Sequence, residues 1–417
     1  MSSNMKDSDI EWIGEIPSHW DIIPNKYIMH KIKDICITYK NEDILSLSKK
    51  GVNVRDFSEG GKMPATFDGY QKIYAGNLLM CLFDIDVTPR CVGVIKNDGL
   101  TSPAYSQFVL NDDVDVLYYY YYYLMLDEDK TLVHLSKNLR HSITEEQLGT
   151  LKVIKPPLNE QKNISRFLDE KITIIDNEID KLVRLIKKYN EYKQSLITEV
   201  VTRGLDNNVK MKDSNIDWIG EIPEHWRISR GKGILTQLKR NVNDNDEVIT
   251  CFRDGEVTLR SKRREIGFTM SDKEIGYQGI EKDDLVVHGM DGFAGSIGIS
   301  DSRGKASPVL IVLNSNQNKK YLMYYLRSLA YNNIFLALTT GIRVRSCNLN
   351  WDKLSNLSYL IPPSNEQKEI VEYLDKKCIL IDSLISEKEQ LIKKLEDYKK
   401  SLIFEYVTGK KEVPNEI

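Results

Sequence analysis

From Asn159 the chain runs for about forty residues without Pro or Gly, and from Asn365 it does so again. The two stretches are copies. PPLNEQKNISRFLDEKITIIDNEIDKLVRLIKKYNEYKQSLITEVVTRG spans Pro156 to Gly204, and PPSNEQKEIVEYLDKKCILIDSLISEKEQLIKKLEDYKKSLIFEYVTGK spans Pro362 to Lys410. Paired prolines precede a helix but do not sit inside one, and Asn159 and Asn365 stand where a side-chain oxygen can cap the first free amides. In the first copy Leu168, Ile172, Ile175, Ile179, Leu182, Ile186, Tyr189, Leu196 and Val200 recur three and four apart, with Lys193 interrupting. That spacing predicts a coiled-coil seam. In the second copy Leu374, Cys378, Ile381, Ile385, Ile392, Leu395, Leu402 and Tyr406 keep the same frame, Lys388 and Lys399 interrupt it, and Leu384 and Leu391 widen it. At ~1.5 Å per residue each helix is on the order of 60 Å long, more than one small domain covers. The predicted cover for each helix is the other.

The duplication reaches further. MKDSDIEWIGEIPSHW at residues 5–20 returns as MKDSNIDWIGEIPEHW at residues 211–226, with 13 of 16 positions identical, 206 positions on. Pro156 and Pro362, and Ser195 and Ser401, keep that offset. The chain is therefore two copies of one unit, a globule followed by a long helix. Within each opening motif a histidine, His19 or His225, stands beside a Trp, which reads as structural rather than catalytic.

Between the shared ends the globules diverge over a common skeleton. YQKIYAGNLLM at Tyr70–Met80 matches YQGIEKDDLVV at Tyr277–Val287, and Asp84 and Asp291 follow at equal distance. Short β-branched runs at Val92–Ile95, Phe108–Leu110, Leu285–Val287 and Val309–Leu313 predict a small β-rich α+β domain. The six tyrosines Tyr118–Tyr123 align with YLMYYLRSL at Tyr321–Leu329, and a packed helix explains them better than a base-stacking platform. A polar linker, Asp206–Lys212, starts the second globule at the end of the first helix. Because compact domains bring their termini together, the second helix must run back antiparallel. The predicted architecture is a two-helix antiparallel coiled coil with an α+β domain at each of its opposite ends, related by a pseudo-twofold axis. Its segments are residues 1–155, the helix 156–204, residues 205–361 and the helix 362–417.

Composition narrows the chemistry. A hydrophobic fraction of 41% over 417 residues suits a globular protein of more than one domain, and a net charge of −3 means any nucleic-acid surface must be local. No apolar run reaches membrane-spanning length, and the opening residues lack the order of a signal peptide, so no membrane partner and a cytoplasmic location are expected. Six cysteines show no metal-ligand spacing and read as reduced thiols. The stretch Gly298–Ser307, GISDSRGKAS, has one residue too many between its glycines for a phosphate-binding P-loop and runs into an apolar strand. Asp291–Gly298 is glycine-rich but reads as a loop. No catalytic or metal-binding set is found, and none is expected.

Basic residues are better placed. Lys49, Lys50 and Arg55 flank Gly51 in the first globule; Arg253, Arg260, Lys262, Arg263 and Arg264 surround Gly255 in the second. Near each globule's end come Arg140 with His141, and Arg343 with Arg345. Such loops can neutralise phosphates, and Arg can grip guanine O6 and N7, although a solvated charged face is the plainer account of any one residue.

The paired MKDS(D/N)I(E/D)WIGEIP(S/E)HW openings, the PP(L/S)NEQK helix starts and the SLI(T/F)E(V/Y)VT(R/G) helix ends resemble the DNA-specificity subunit of type I restriction–modification systems. The resemblance covers nearly the whole chain. It implies two target-recognition domains, each reading half of a bipartite site in double-stranded DNA, and a helical spacer on which two methyltransferase subunits assemble. S-adenosylmethionine would come with the methyltransferases, for transfer to adenine N6, and ATP and Mg2+ with motor/endonuclease subunits. The chain itself would do no chemistry. Two competing expectations are a coiled-coil adaptor whose globules bind protein, and the specificity chain of a methylation-only or single-complex restriction enzyme.

Overall fold

The computed structural model describes residues 4–57, 64–136, 141–263, 275–338 and 348–414. They divide into two compact units, Met1–Leu182 with Glu389–Ile417, and Val183–Lys388. Each unit owns one half of each long helix, Leu158–Arg203 and Ser364–Val407.

In the first unit the opening motif forms an antiparallel pair, Met5–Asp7 with Glu15–Pro17, closed by a turn that buries Ile10 and Ile13. The next strand, Asp21–Pro24, pairs with Lys152–Lys155, the strand just before the helix. The strand after the opening motif and the last strand of the globule are thus neighbours, which sets the opening motif against the helix start. Four antiparallel strands form the main sheet, in the order Val92–Val94, Leu78–Met80, Ser106–Leu110, Met29–Ile32. The helix Val116–Glu128 carries the tyrosine run, with Asp115 capping it through the Tyr118 amide at 2.8 Å. Tyr118, Tyr119, Tyr121, Tyr122 and Tyr123 are all buried, as expected of a helix apolar all round.

The second unit repeats this plan with its own residues. Met211–Asp213 pairs with Glu221–Pro223, and Arg227–Arg230 with Ser358–Ile361. Its sheet runs Leu235–Gln237, Leu310–Ser315, Leu285–His288, Ile297–Ile299. Gly298–Ser307 crosses from that last strand into the strand Gly304–Ala306, with no helix after it.

Within each unit the helix halves lie antiparallel. In the first, the Phe167 and Tyr406 rings are 4.6 Å apart and Asp176 meets Lys399 at 2.6 Å. Leu168, Ile172, Ile175, Leu182 and Leu402 are buried there, and Ile179, Ile392 and Leu395 half-buried. In the second, Lys193 meets Asp382 at 2.6 Å; Leu196, Leu374 and Ile381 are buried, and Ile186 and Ile385 half-buried. Positions away from the globules are covered by a single partner helix, which explains their partial exposure. Three readings of the helices need correction. Lys193 and Lys399 are no defects in the seam, since each reaches across it to a carboxylate. Leu391 does not widen the stripe but is exposed. Asn159 and Asn365 are not caps: the helices begin before them, and the carbonyls of Pro157 and Pro363 already accept from the Gln161 and Gln367 amides at 3.0 Å.

Candidate nucleic-acid interface

The two globules meet their helices through the same side chains. Trp20 donates its indole N–H to Glu160 at 2.8 Å, and His19 Nε2 lies 2.8 Å from the other oxygen of that carboxylate. In the second unit Trp226 and His225 hold Glu366 at 3.0 and 2.8 Å. Both histidines therefore serve the scaffold. The tyrosine helix does likewise. Tyr118 donates to the Val407 carbonyl at 2.8 Å and Tyr121 to Asp169 at 3.1 Å; their counterparts Tyr321 and Tyr324 reach Val201 at 3.3 Å and Asp375 at 2.8 Å. Burial pushes all four hydroxyls far above the ordinary tyrosine range, so they remain donors. Gln161 and Gln367 close the joint, each accepting from the backbone amide of the capping residue of the tyrosine helix, Asp115 or Asn318.

On this shared frame each unit carries a different cationic hairpin. In the first, Leu45–Ser48 pairs with Gly51–Val54, leaving Lys49 and Lys50 exposed at a two-residue tip. Gly51 follows with φ +93°, a conformation its neighbours could not share without strain. Among the described residues no carboxylate pairs with either lysine. Arg55 leaves the hairpin with its guanidinium 5.2 Å from the centre of the Phe57 ring. His141 is not part of this group: its ring contacts Ser136 at 3.3 Å and Asp86 at 3.9 Å.

In the second unit Ile249–Cys251 pairs with Val257–Leu259 across the longer loop Phe252–Glu256, and Arg260–Arg263 form a helical turn after it. Here the cations are matched by acids. Arg263 lies 4.1 Å over the Phe252 ring and spends three hydrogen bonds on Asp254 and Glu256. Lys262 binds Asp301 at 3.1 Å and Ser302 at 2.6 Å, while Arg260 donates to Thr250 at 3.0 Å. Arg253 is 68% exposed and among the described residues makes a single side-chain bond, of 3.0 Å to Asp291, so most of its five donors face outward. Arg253, Arg260 and Arg263 line a cleft of about 740 Å³ that Lys262 does not reach. Arg140, Arg264, Arg343 and Arg345 lie outside the described residues.

Sequence reasoning missed His288, also on the cleft wall, and the pairing of Asp254 and Asp291 with the arginines there. It passed over Glu160 and Glu366 as well, though their fixed spacing from both HW pairs was a usable signal. The five described cysteines are buried and unpaired; burial holds the Cys251 thiol up at about 12. Among the described residues no His, Cys, Asp and Glu group is arranged for a metal, and no helix is long and apolar enough to cross a membrane.

The model of the type I restriction modification DNA specificity domain matches residues 92–217 and again residues 275–397, together more than half of the chain. The chain belongs to this family. A protein of Methanocaldococcus jannaschii named for the type I restriction enzyme MjaX specificity subunit is 22% identical over 95% of both chains. The StySPI specificity subunit of Salmonella potsdam is 20% identical over 61% of this chain and 56% of its own. A chain from a solved structure on complex assembly and conformational transition of the type I R-M system shares the fold, with a TM-score of 0.68, 12% identity, and coverage of 95% of this chain and 99% of that one. A specificity-family chain has a DNA-recognition role, and two matched domains fit a bipartite target.

Proposed function

We propose that each globule reads one half of a bipartite sequence in double-stranded DNA and that the long helices carry the distance between the halves. The observation behind this reading is the contrast between an invariant joint and unrelated cationic hairpins. The Trp–His–Glu clamp and the Tyr and Gln contacts repeat 203 or 206 positions apart, whereas the hairpins differ in length, charge pairing and sequence. Lys49 and Lys50, free of partners among the described residues, suit phosphate contacts; Arg253, with its outward donors, suits a base edge.

The chain on this reading performs no catalysis and works in the cytoplasm. Two methyltransferase subunits with S-adenosylmethionine modify adenine N6, and motor/endonuclease subunits supply ATP- and Mg2+-dependent steps. A surface hollow beside Trp12, lined also by Gln147, Thr150 and Leu151, returns beside Trp218 with Lys353, Asn356 and Leu357 at the matching positions. A feature repeated on both diverged globules suits one partner bound twice. The test is to exchange residues 21–150 for another recognition domain and sequence the methylome of a host expressing the chain with its methyltransferase. The expected outcome is a new sequence in one half-site and an unchanged second half. Alteration of both halves would show that the globules do not read independently.

A further inference from the structure

His288 ends the strand Leu285–His288, and its ring opens onto the cleft that Arg253 and Arg263 line. Its Nδ1 faces two backbone amides, that of Met290 at 3.2 Å and that of Asp291 at 3.0 Å. Both amides can only donate, so Nδ1 must be the unprotonated acceptor and the neutral ring carries its hydrogen on Nε2. Burial is the main influence on this imidazole and lowers its pKa; Arg253 adds to the effect and Asp291 opposes it. The ring is therefore a fixed, neutral donor.

The same turn orients a second donor. Asp291, whose amide holds Nδ1, accepts from Arg253 through its side chain at 3.0 Å. Two donors of different reach are thus anchored by one four-residue segment on one wall. Arg263 cannot join them, because Asp254 and Glu256 occupy it. A ligand matching this wall presents adjacent acceptors. Among the bases seen from the major groove, guanine alone offers two neighbouring acceptors, O6 and N7.

We propose that His288 and Arg253 together read a guanine in one half-site, His288 through Nε2–H and Arg253 through its outward guanidinium edge. This rests on the DNA-reading function proposed above. The first globule has no equivalent, since its aligned residue, Cys81, is buried with its thiol on the Phe83 carbonyl. The guanine belongs to the half-site of the second globule alone.

The decisive variant is His288→Asn. Asn Oδ1 can take over the two amides, so the turn is kept while the distal donor is removed. The full chain is assembled with its methyltransferase, its target is read by methylome sequencing, and binding is measured against single-base variants of that target over a range of salt. His288→Asn should lower discrimination at one G·C position roughly 5- to 150-fold, the span of a lost base contact, with the other half-site and the salt slope unchanged. Arg253→Gln, a surface change that keeps the fold, should relax the same position. Three outcomes overturn the proposal: discrimination unchanged in both variants, relaxation at two different positions, or equal weakening on every sequence with a shallower salt slope, which marks a phosphate contact. Absence of any bipartite motif with the unaltered chain would instead sink the underlying function.

Discussion

Glu366 shows how one side chain ties a variable globule to a constant helix. Trp226 is fully buried, and its indole N–H has this carboxylate as acceptor at 3.0 Å, while His225 holds the second oxygen. Removing the acceptor strands a buried donor, which costs more than the bond itself returns. Glu366→Ala is expected to destabilise the chain by about 1.5–3 kcal/mol, measured by chemical denaturation, and Glu366→Gln by less because an amide oxygen still accepts. An unchanged midpoint for the alanine variant would remove the clamp from the account. Gly409 acts at the other end of the clamp in the first unit. Its φ is +71°, and an added Cβ would lie 2.5 Å from Pro17 and 2.8 Å from Trp20, so only glycine lets the helix end turn there.

At the level of elements, two long helices with a mostly aliphatic seam could slide by a heptad at little cost in buried area. Lys193 with Asp382 and Lys399 with Asp176 oppose this, as equivalent pairs 206 positions apart that each reach across the seam. The lysines are 21% and 14% exposed and the aspartates about half exposed, so each pair is worth no more than about 1 kcal/mol. Their value is registry. Lys193→Glu is expected to lower stability by about 1 kcal/mol through like-charge contact with Asp382, and Asp382→Lys added to it to restore most of the loss. Thermal melts of the two single variants and the double variant close the cycle, and purely additive losses would deny the coupling. The tyrosine helices work at this level too: their hydroxyls satisfy carbonyls in the last turn of each long helix, where intrahelical partners run out.

For the molecule as a whole, the chain's beginning and end fall in one unit, where Lys410 donates to the Glu15 carbonyl and Gly409 packs on the first opening motif. The second unit makes the same joint through the covalent run from Gly204 to Trp226, where a Cβ added at Gly204 would lie 3.3 Å from that Trp. The helices of 46 and 44 residues are continuous from end to end. On the proposed function, four residues inserted into either helix lengthen it by ~6 Å, close to two base pairs at ~3.4 Å each. Methylome sequencing of the insertion variant is expected to return unchanged half-sites with a longer spacer. An unaltered spacer would mean the helices do not set the distance.

Repeated motifs, helix seams and the burial of the tyrosine run were legible in the amino-acid order, because each is local or rests on comparing one half of the chain with the other. Periodicity identifies a helix face, and a constant offset identifies a duplicated fold. The cationic hairpins were legible as composition only. Whether a cation is free depends on partners distant along the chain, such as Asp291 for Arg253, 38 positions away, and no spacing rule announces such a pair. For the same reason His288 drew no notice: one histidine in an apolar strand acquires a fixed tautomer only when the turn after it folds back and points two amides at its ring. The sequence by itself determined the repeated frame; the tertiary structure alone decided which donors that frame leaves pointing outward, since a hydrogen-bond donor's direction depends on what its neighbours in space already occupy.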